Sequence, residues 1–343
     1  MIEKSRQRFG SVSPPGRMRG LSLVEIMVAL VIGMLTLAGL LTLFTQNKRT
    51  FMQDEQFVRM QDNARFALAE LEKDLAMAGF WGDLLNPAGI VGDDDSLSIA
   101  TDCGPGGIED WMYQILDPVS GQSSALTHLD NATGLAATGS HSCIDAAEIV
   151  AGSDVVAIKR LEGRELAGAM IPSRVYLRTN GTVGLLYKEP MSASPPITID
   201  PPFSQWRYSP RIYFIRDFSE APGDGIPALC RKVLVAAAGP GMASECLASG
   251  VEDLQIEFGL DEDGDGRPDT FLSNPTLAQM QLAVSARIEL LARTAEPDPR
   301  FVNDSTYRLG NAPAYTPNDN FRRRVYTTTV YIRNLSHLRR LGS

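Results

Sequence analysis

The sequence predicts an α+β fold in which one long N-terminal helix lies against an antiparallel β-sheet domain, and three observations predict it. An apolar run from Leu21 to Phe44 leads into a helical pattern that meets no glycine or proline between Thr45 and Gly79. From Gly82 onward, short apolar runs are separated by glycine, proline and asparagine, the signature of strands and turns. Helical segments do not alternate with strands and no repeat of fixed period occurs, which argues against a doubly wound parallel sheet. With 343 residues, 44% hydrophobic and 21% charged, the chain can bury a core in one large or two small domains, and it is not a disordered protein.

The first 20 residues carry five cations, Lys4, Arg6, Arg8, Arg17 and Arg19, against the single acid Glu3. Removing that +4 from the net charge of -9 leaves -13 on residues 21–343. A body so acidic argues against nucleic acid as the main partner, because phosphate binding needs a cationic face. Basic residues gather near the C-terminus, at Arg322, Arg323, Arg324, Arg333, Arg339 and Arg340. They read as a solvated rim or as a contact with an acidic neighbouring subunit.

The 24 residues from Leu21 to Phe44 hold one charge, Glu25. As a helix they extend about 36 Å, enough to cross a bilayer. A secretory signal peptide would be shorter and would be followed by a small-x-small cleavage site. An ordinary anchor leaves the carboxylate unexplained, since a charge within a spanning helix costs roughly 2.5 to 3.5 kcal/mol. Cutting the chain between Gly20 and Leu21 would supply a partner. The new α-amino group would be a cation at mature position 1 with Glu25 at position 5, on one helical face. In an assembly, the glutamate of one subunit could instead meet the amine of its neighbour. The basic residues ahead of the span place the N-terminus in the cytoplasm and everything after Phe44 outside it.

The segment RMRGLSLVEIMVAL, residues 17–30, resembles the type III signal of type IV prepilins: basic residues, a glycine, an apolar residue, then a glutamate at mature position 5. The resemblance implies cleavage by the prepilin peptidase after Gly20, N-methylation of Leu21, and packing of the mature helix into a filament core with Glu25 setting the register. It also implies a pilin-like fold, divided into a leader (1–20), a transmembrane helix (21–44), its amphipathic extension (45–80) and a periplasmic β-rich domain (81–343).

Along the extension, Ala64, Leu68, Leu71, Leu75 and Ala78 follow the spacing of one helical face, which should pack on the globular domain. Gly79 is placed to cap the helix, so it should end near Ala78. Phe51, Phe57 and Phe66 read as subunit contacts or core. The phrase NARFALAELEKDLAMAGFWG, residues 63–82, resembles the stretch after the anchor in minor pilins of the PilW type. That resemblance covers the first 82 residues and returns in patches near 251–271, 285–293 and 321–335. Many such relatives carry a cysteine soon after the turn, where this chain has Asp83, so its disulfide pattern can differ from theirs.

In the exported part, strands are expected at Asp154–Arg160, Arg174–Arg178, Gly184–Lys188, Arg211–Arg216, Leu229–Val235, Leu254–Gly259, Leu282–Leu291 and Val325–Ile332. The four cysteines, Cys103, Cys143, Cys230 and Cys246, all lie here, and an even number in an oxidising compartment suggests two disulfides. Three pairings exist and sequence alone does not choose. Cys103 with Cys143 and Cys230 with Cys246 is favoured, because each pair brackets a loop-rich segment. A zinc site is disfavoured by the absence of C-x-x-C spacing.

Asp261, Asp263 and Asp265 in LDEDGDGRPDTFL match the D-x-D-x-D-G opening of a calcium loop, with Gly266 at position 6, the Arg267 carbonyl at position 7 and Asp269 at position 9. Leu272 stands where the bidentate glutamate of position 12 is expected, and the flanks read as strands. A solvated acidic turn is the plainer reading, but five acids in so short a loop repel one another, and a cation resolves this. Similar loops occur in PilW-type minor pilins and some type II secretion pseudopilins. By that resemblance the expected role is structural.

An enzyme finds little support. His128, His141 and His337 lie in no G-x-S-x-G, H-E-x-x-H or phosphate-loop context, and each reads as a surface or turn residue. Trp81, Trp111 and Trp206 read as core or interface. The expectation is a minor pilin in the inner membrane, N-terminus cytoplasmic and domain periplasmic, reaching the pilus surface after assembly. Its implied partners are other minor pilins, the major pilin, the assembly platform, the prepilin peptidase and a tip adhesin. A type II secretion pseudopilin shares the anchor and is the alternative, and a membrane-anchored periplasmic hydrolase is the alternative of another class.

Overall fold

The computed structural model describes residue 20 and residues 22–97, 103, 111, 113–117, 120–134, 141–236 and 241–335. Leu21, most of the leader, His337, Arg339 and Arg340 lie outside the described residues. The chain divides into two compact units, one ending at Asp54 and one beginning at Glu55.

Helix α1 runs from Leu23 to Ala76. Its start is fixed by a reciprocal pair: the Ser22 hydroxyl accepts the Glu25 N–H at 3.2 Å, and the Glu25 carboxylate accepts the Ser22 N–H at 3.3 Å. Two N–H groups that have no partner within a helix are thereby satisfied. In the first unit every described side chain from Leu23 to Phe44 is exposed.

In the second unit the other half of α1 buries Met60, Ala64, Ala67, Leu71, Asp74 and Leu75. Of the expected stripe, Ala64, Leu71, Leu75 and Ala78 are fully buried and Leu68 packs at its margin. Phe57 packs beside Met60 and Ala64, whereas Phe51 and Phe66 are exposed. Gly79 ends the helical path with φ +72° and donates its N–H to the Lys159 carbonyl at 3.1 Å. A Cβ there would come within 2.9 Å of Leu335, so the turn needs glycine for space as well as for backbone angle.

Among the described residues the β domain holds three sheets, where the sequence suggested one. Numbered along the chain, the first runs in the order β1 (Ile90–Gly92), β6 (Gly184–Lys188), β5 (Val175–Thr179), β7 (Ser204–Tyr208) and β4 (Leu161–Glu165). The second runs β10 (Gly241–Ser249), β9 (Ala228–Val235), β8 (Arg211–Arg216), β3 (Ser153–Ile158) and β2 (Leu126–Ala132). The third runs β12 (Thr270–Leu272), β11 (Val251–Leu260), β13 (Ala283–Arg293) and β14 (Arg323–Tyr331). All pairings are antiparallel except β1 with β6.

The main core joins Leu71 and Leu75 of α1 to Ile158 and Phe214 of the second sheet and Ile256 and Ile288 of the third. Trp81 and Trp111 are buried in it and Trp206 packs at its edge. Disulfides join Cys103 to Cys143 and Cys230 to Cys246, the latter two standing opposite each other in the β9–β10 register.

Candidate functional site

The residues singled out by sequence fall in separate places. Gly20 and Glu25 are exposed at the start of α1, and Leu21, the expected modification site, lies outside the described residues. The segment that follows makes α1 long and apolar enough to cross a membrane.

The acidic loop is a hairpin between β11 and β12, whose register Leu260↔Thr270 closes residues 261–269 into a compact turn. Carboxylate oxygens of Asp261, Asp263 and Asp265 lie within 4.8 Å of one another. The loop is wound around its own aspartates. Asp261 accepts the N–H groups of Gly264 (2.6 Å) and Gly266 (3.1 Å), Asp263 that of Asp265 (3.0 Å), and Asp265 that of Arg267 (2.7 Å). Asp269 accepts from Glu262 N at 2.8 Å and from Asp263 N at 3.3 Å. Gly264 and Gly266 take φ +87° and +89°, so the turn that gathers the carboxylates needs residues without a Cβ at both points. The donor set consists of hard oxygens, as calcium requires.

A buried charge cluster that the sequence reading did not identify lies under the end of α1. Asp74, fully buried, is 2.6 Å from Arg160, 3.0 Å from Arg211 and 3.9 Å from Arg231, and it accepts the Tyr213 hydroxyl. Glu70, one turn earlier, pairs with Arg231 at 2.8 Å. Burial, and next the Asp74 carboxylate, push the Tyr213 phenol above its ordinary pKa. The signal was present: Asp74 sits three residues after Leu71 and four before Ala78, inside the apolar stripe.

Two of the C-terminal arginines, Arg322 and Arg323, are paired within the domain, which corrects the rim reading for them. The Arg323 side chain is buried and forks onto Glu252 (2.5 Å) and Asp319 (2.6 Å), while Arg322 pairs with Asp298 at 3.0 Å and lies over Phe301. Together they fasten the long excursion between β13 and β14. Arg324 remains exposed, over the Tyr326 ring.

The histidine reading is also corrected. His128 lies within β2 with a buried side chain, its Nε2 2.9 Å from Asp154 and its ring edge-on to Phe258. His141 is buried against Trp111, and burial, then Lys159, depress its pKa to about 3, so it stays neutral. Asp154 ties the second sheet to the third, accepting Asn131 N at 2.8 Å and Ile256 N at 2.7 Å.

Nearby Asp253 has its pKa pushed up to about 6 from 3.8, first by burial and also by Asp154. Between those values the folded chain holds a proton that the unfolded chain has lost, so stability falls as pH rises through this window. The expected loss between pH 4 and pH 6.5 is up to about 2 kcal/mol. Denaturant titrations of Asp253→Asn should lack that slope, and an unchanged slope would assign it elsewhere.

Residues 212–334 match the family described as type IV pilus-assembly protein W. The matched stretch runs from β8 past β14 and includes the acidic hairpin and the Arg323 clamp. Comparison with curated proteins and with solved structures finds no match. The family match supports a part in type IV pilus assembly.

Proposed function

We propose that the protein is a minor pilin that primes assembly of a type IV pilus and works through its interfaces, without a catalytic step. The match over residues 212–334 carries the reading. It is supported by α1, whose N-terminal half can serve as a single membrane anchor with the β domain on the periplasmic side and whose register-setting charge would be Glu25. On this reading Gly20 and Leu21 flank the cleavage site and Leu21 is N-methylated. Other minor pilins, the major pilin, the inner-membrane platform and a tip adhesin are its partners. The test is the intact mass and N-terminal sequence of membrane-extracted protein from cells with and without prepilin peptidase. A peptidase-dependent start at methylated Leu21 is expected; residues 1–20 retained in both strains would leave a plain membrane anchor.

The acidic hairpin is proposed to hold one structural calcium ion through Asp261, Asp263, Asp265, the Arg267 carbonyl and Asp269. Bound calcium would neutralise carboxylates that otherwise repel one another and would stiffen the β11–β12 turn. At about a hundredfold excess over Kd, binding contributes about 2.7 kcal/mol, or a rise in Tm of about 5 °C for a domain of this size. Calorimetry with calcium and with EDTA should show that difference in the native chain and not in Asp263→Asn/Asp265→Asn. Equal melting in all four samples would leave the loop a solvated turn.

A further inference from the structure

At the end of β2 the second sheet, the third sheet and the excursion between β13 and β14 come together, and their contacts close into a ring. Asn131, with φ +47°, donates a side-chain N–H to Asn311 Oδ1 at 3.0 Å, and Asn311 donates one to Asp130 at 2.9 Å. The preceding Gly310 donates its N–H to Glu289 at 2.8 Å and lies over the Gln255 side chain, where a Cβ would come within 3.7 Å of Gln255 Oε1. Gln255 Nε2 donates to Asp253 at 3.1 Å and to the Gly152 carbonyl at 2.8 Å, and Gly152 N–H donates to Ala132 at 2.9 Å, next to Asn131. The amide nitrogens of Gln255 and Asn131 are therefore engaged, and their oxygens are not. Gln255 is 1% exposed and its Oε1 has no hydrogen-bond partner, and the buried Asn131 Oδ1 has none either.

The charge at this seam is one-sided. Asp130, Asp253 and Glu289 belong to the ring, and Asp154 adjoins it by accepting Asn131 N–H at 2.8 Å. Among the described residues no lysine or arginine pairs with any of the four, and His128, on Asp154, is their one basic partner. Carboxylates elsewhere in the domain are matched: Asp74 has three arginines around it, and Glu252 and Asp319 share Arg323. Buried acceptors without a donor, beside acids without a base, suit a cation. The available donors are all oxygens, of mixed carboxylate and amide kind, which calcium accepts in irregular arrangements, whereas magnesium demands a near-octahedral set and keeps its water. We infer that this seam is a second calcium site, built from the carboxylates of Asp253 and Glu289 and the amide oxygens of Gln255 and Asn131. Eight residues of extended strand separate Asp253 from Asp261, about 26 Å, so the site is distinct from the acidic hairpin. An ion here would fasten the second sheet and the excursion to the third sheet.

The experiment counts calcium bound per chain by equilibrium dialysis of the full chain in detergent, with the hairpin disabled by Asp263→Asn/Asp265→Asn. One ion per chain should remain, and adding Asp253→Asn should weaken it at least about tenfold. Gln255→Glu in the same background places a further carboxylate on the site, so it should melt lower than its parent in EDTA and recover in calcium. A hairpin-disabled chain that melts cooperatively and binds no calcium overturns the site, leaving its oxygens to water. Binding that Asp253→Asn leaves unchanged, or a Gln255→Glu chain that calcium does not rescue, overturns it as well.

Discussion

Replacing Asp74 with alanine is expected to cost about 3–5 kcal/mol of stability, measured by denaturant unfolding of the full chain in detergent. The carboxylate is fully buried and sits among Arg160, Arg211 and Arg231. Without it, Arg160 loses a 2.6 Å partner, and Arg211 keeps only the more distant Glu70 at 4.0 Å. Three cations would then repel one another in a space with little water, and that repulsion, more than any lost attraction, sets the size of the effect. The Tyr213 hydroxyl would lose its acceptor too, so its phenol should titrate at a lower pH in Asp74→Ala than in the native chain. Adding Arg160→Met to Asp74→Ala should recover part of the loss, because it removes one uncompensated charge. A cost below about 1 kcal/mol, or no recovery in the double variant, would mean that water reaches the cluster.

The same cluster shows what sequence carries and what it does not. An acid inside an apolar stripe was visible, but its partners come from the connection after β3 and from β8 and β9, which no local pattern places together. All eight expected strands are present, most of them displaced by a residue or two, because apolar and β-branched runs mark strands buried on at least one face. The unforeseen ones have other compositions. LTHLDNA in β2, LEGRE in β4, SQWRY in β7 and GMASECLAS in β10 become strands through the neighbours they pair with, and β1 and β12 are too short to give a pattern. Three sheets in place of one follow from those additional strands: β1, β4 and β7 build most of the first sheet around β5 and β6.

Charge without partners misled in the same way. Arg322 and Arg323 looked like a rim until Asp298, Glu252 and Asp319 were brought against them by the excursion before β14. His128 looked like a turn residue because nothing near it in sequence announces Asp154, 26 residues on. The acidic hairpin was legible because its donors fall at alternate positions of one short segment, and the strands on either side only had to close it.

Changing Glu25 to glutamine is expected to leave the protein in the membrane and reduce piliation roughly a hundredfold. The reasoning turns on what the side chain does twice. Locally it completes the cap with Ser22, and glutamine can accept the same N–H, so helix α1 should start where it does now. Its charge is another matter. A carboxylate in the spanning segment costs roughly 2.5 to 3.5 kcal/mol on insertion, so removing it should make membrane retention easier. Only an interaction formed later, with the α-amino group that the proposed cleavage exposes on Leu21, would be lost, and 2.5 to 3.5 kcal/mol corresponds to roughly a hundredfold in an assembly equilibrium. Sheared filaments and membranes from cells carrying Glu25→Gln should therefore differ, with native amounts in the membrane and few pili. In cells without prepilin peptidase the amine never forms, so the variant and the native chain should behave alike. Normal piliation by Glu25→Gln would show that the carboxylate serves only as a cap, and the interface role proposed for the N-terminal helix would have to be carried by its apolar surface.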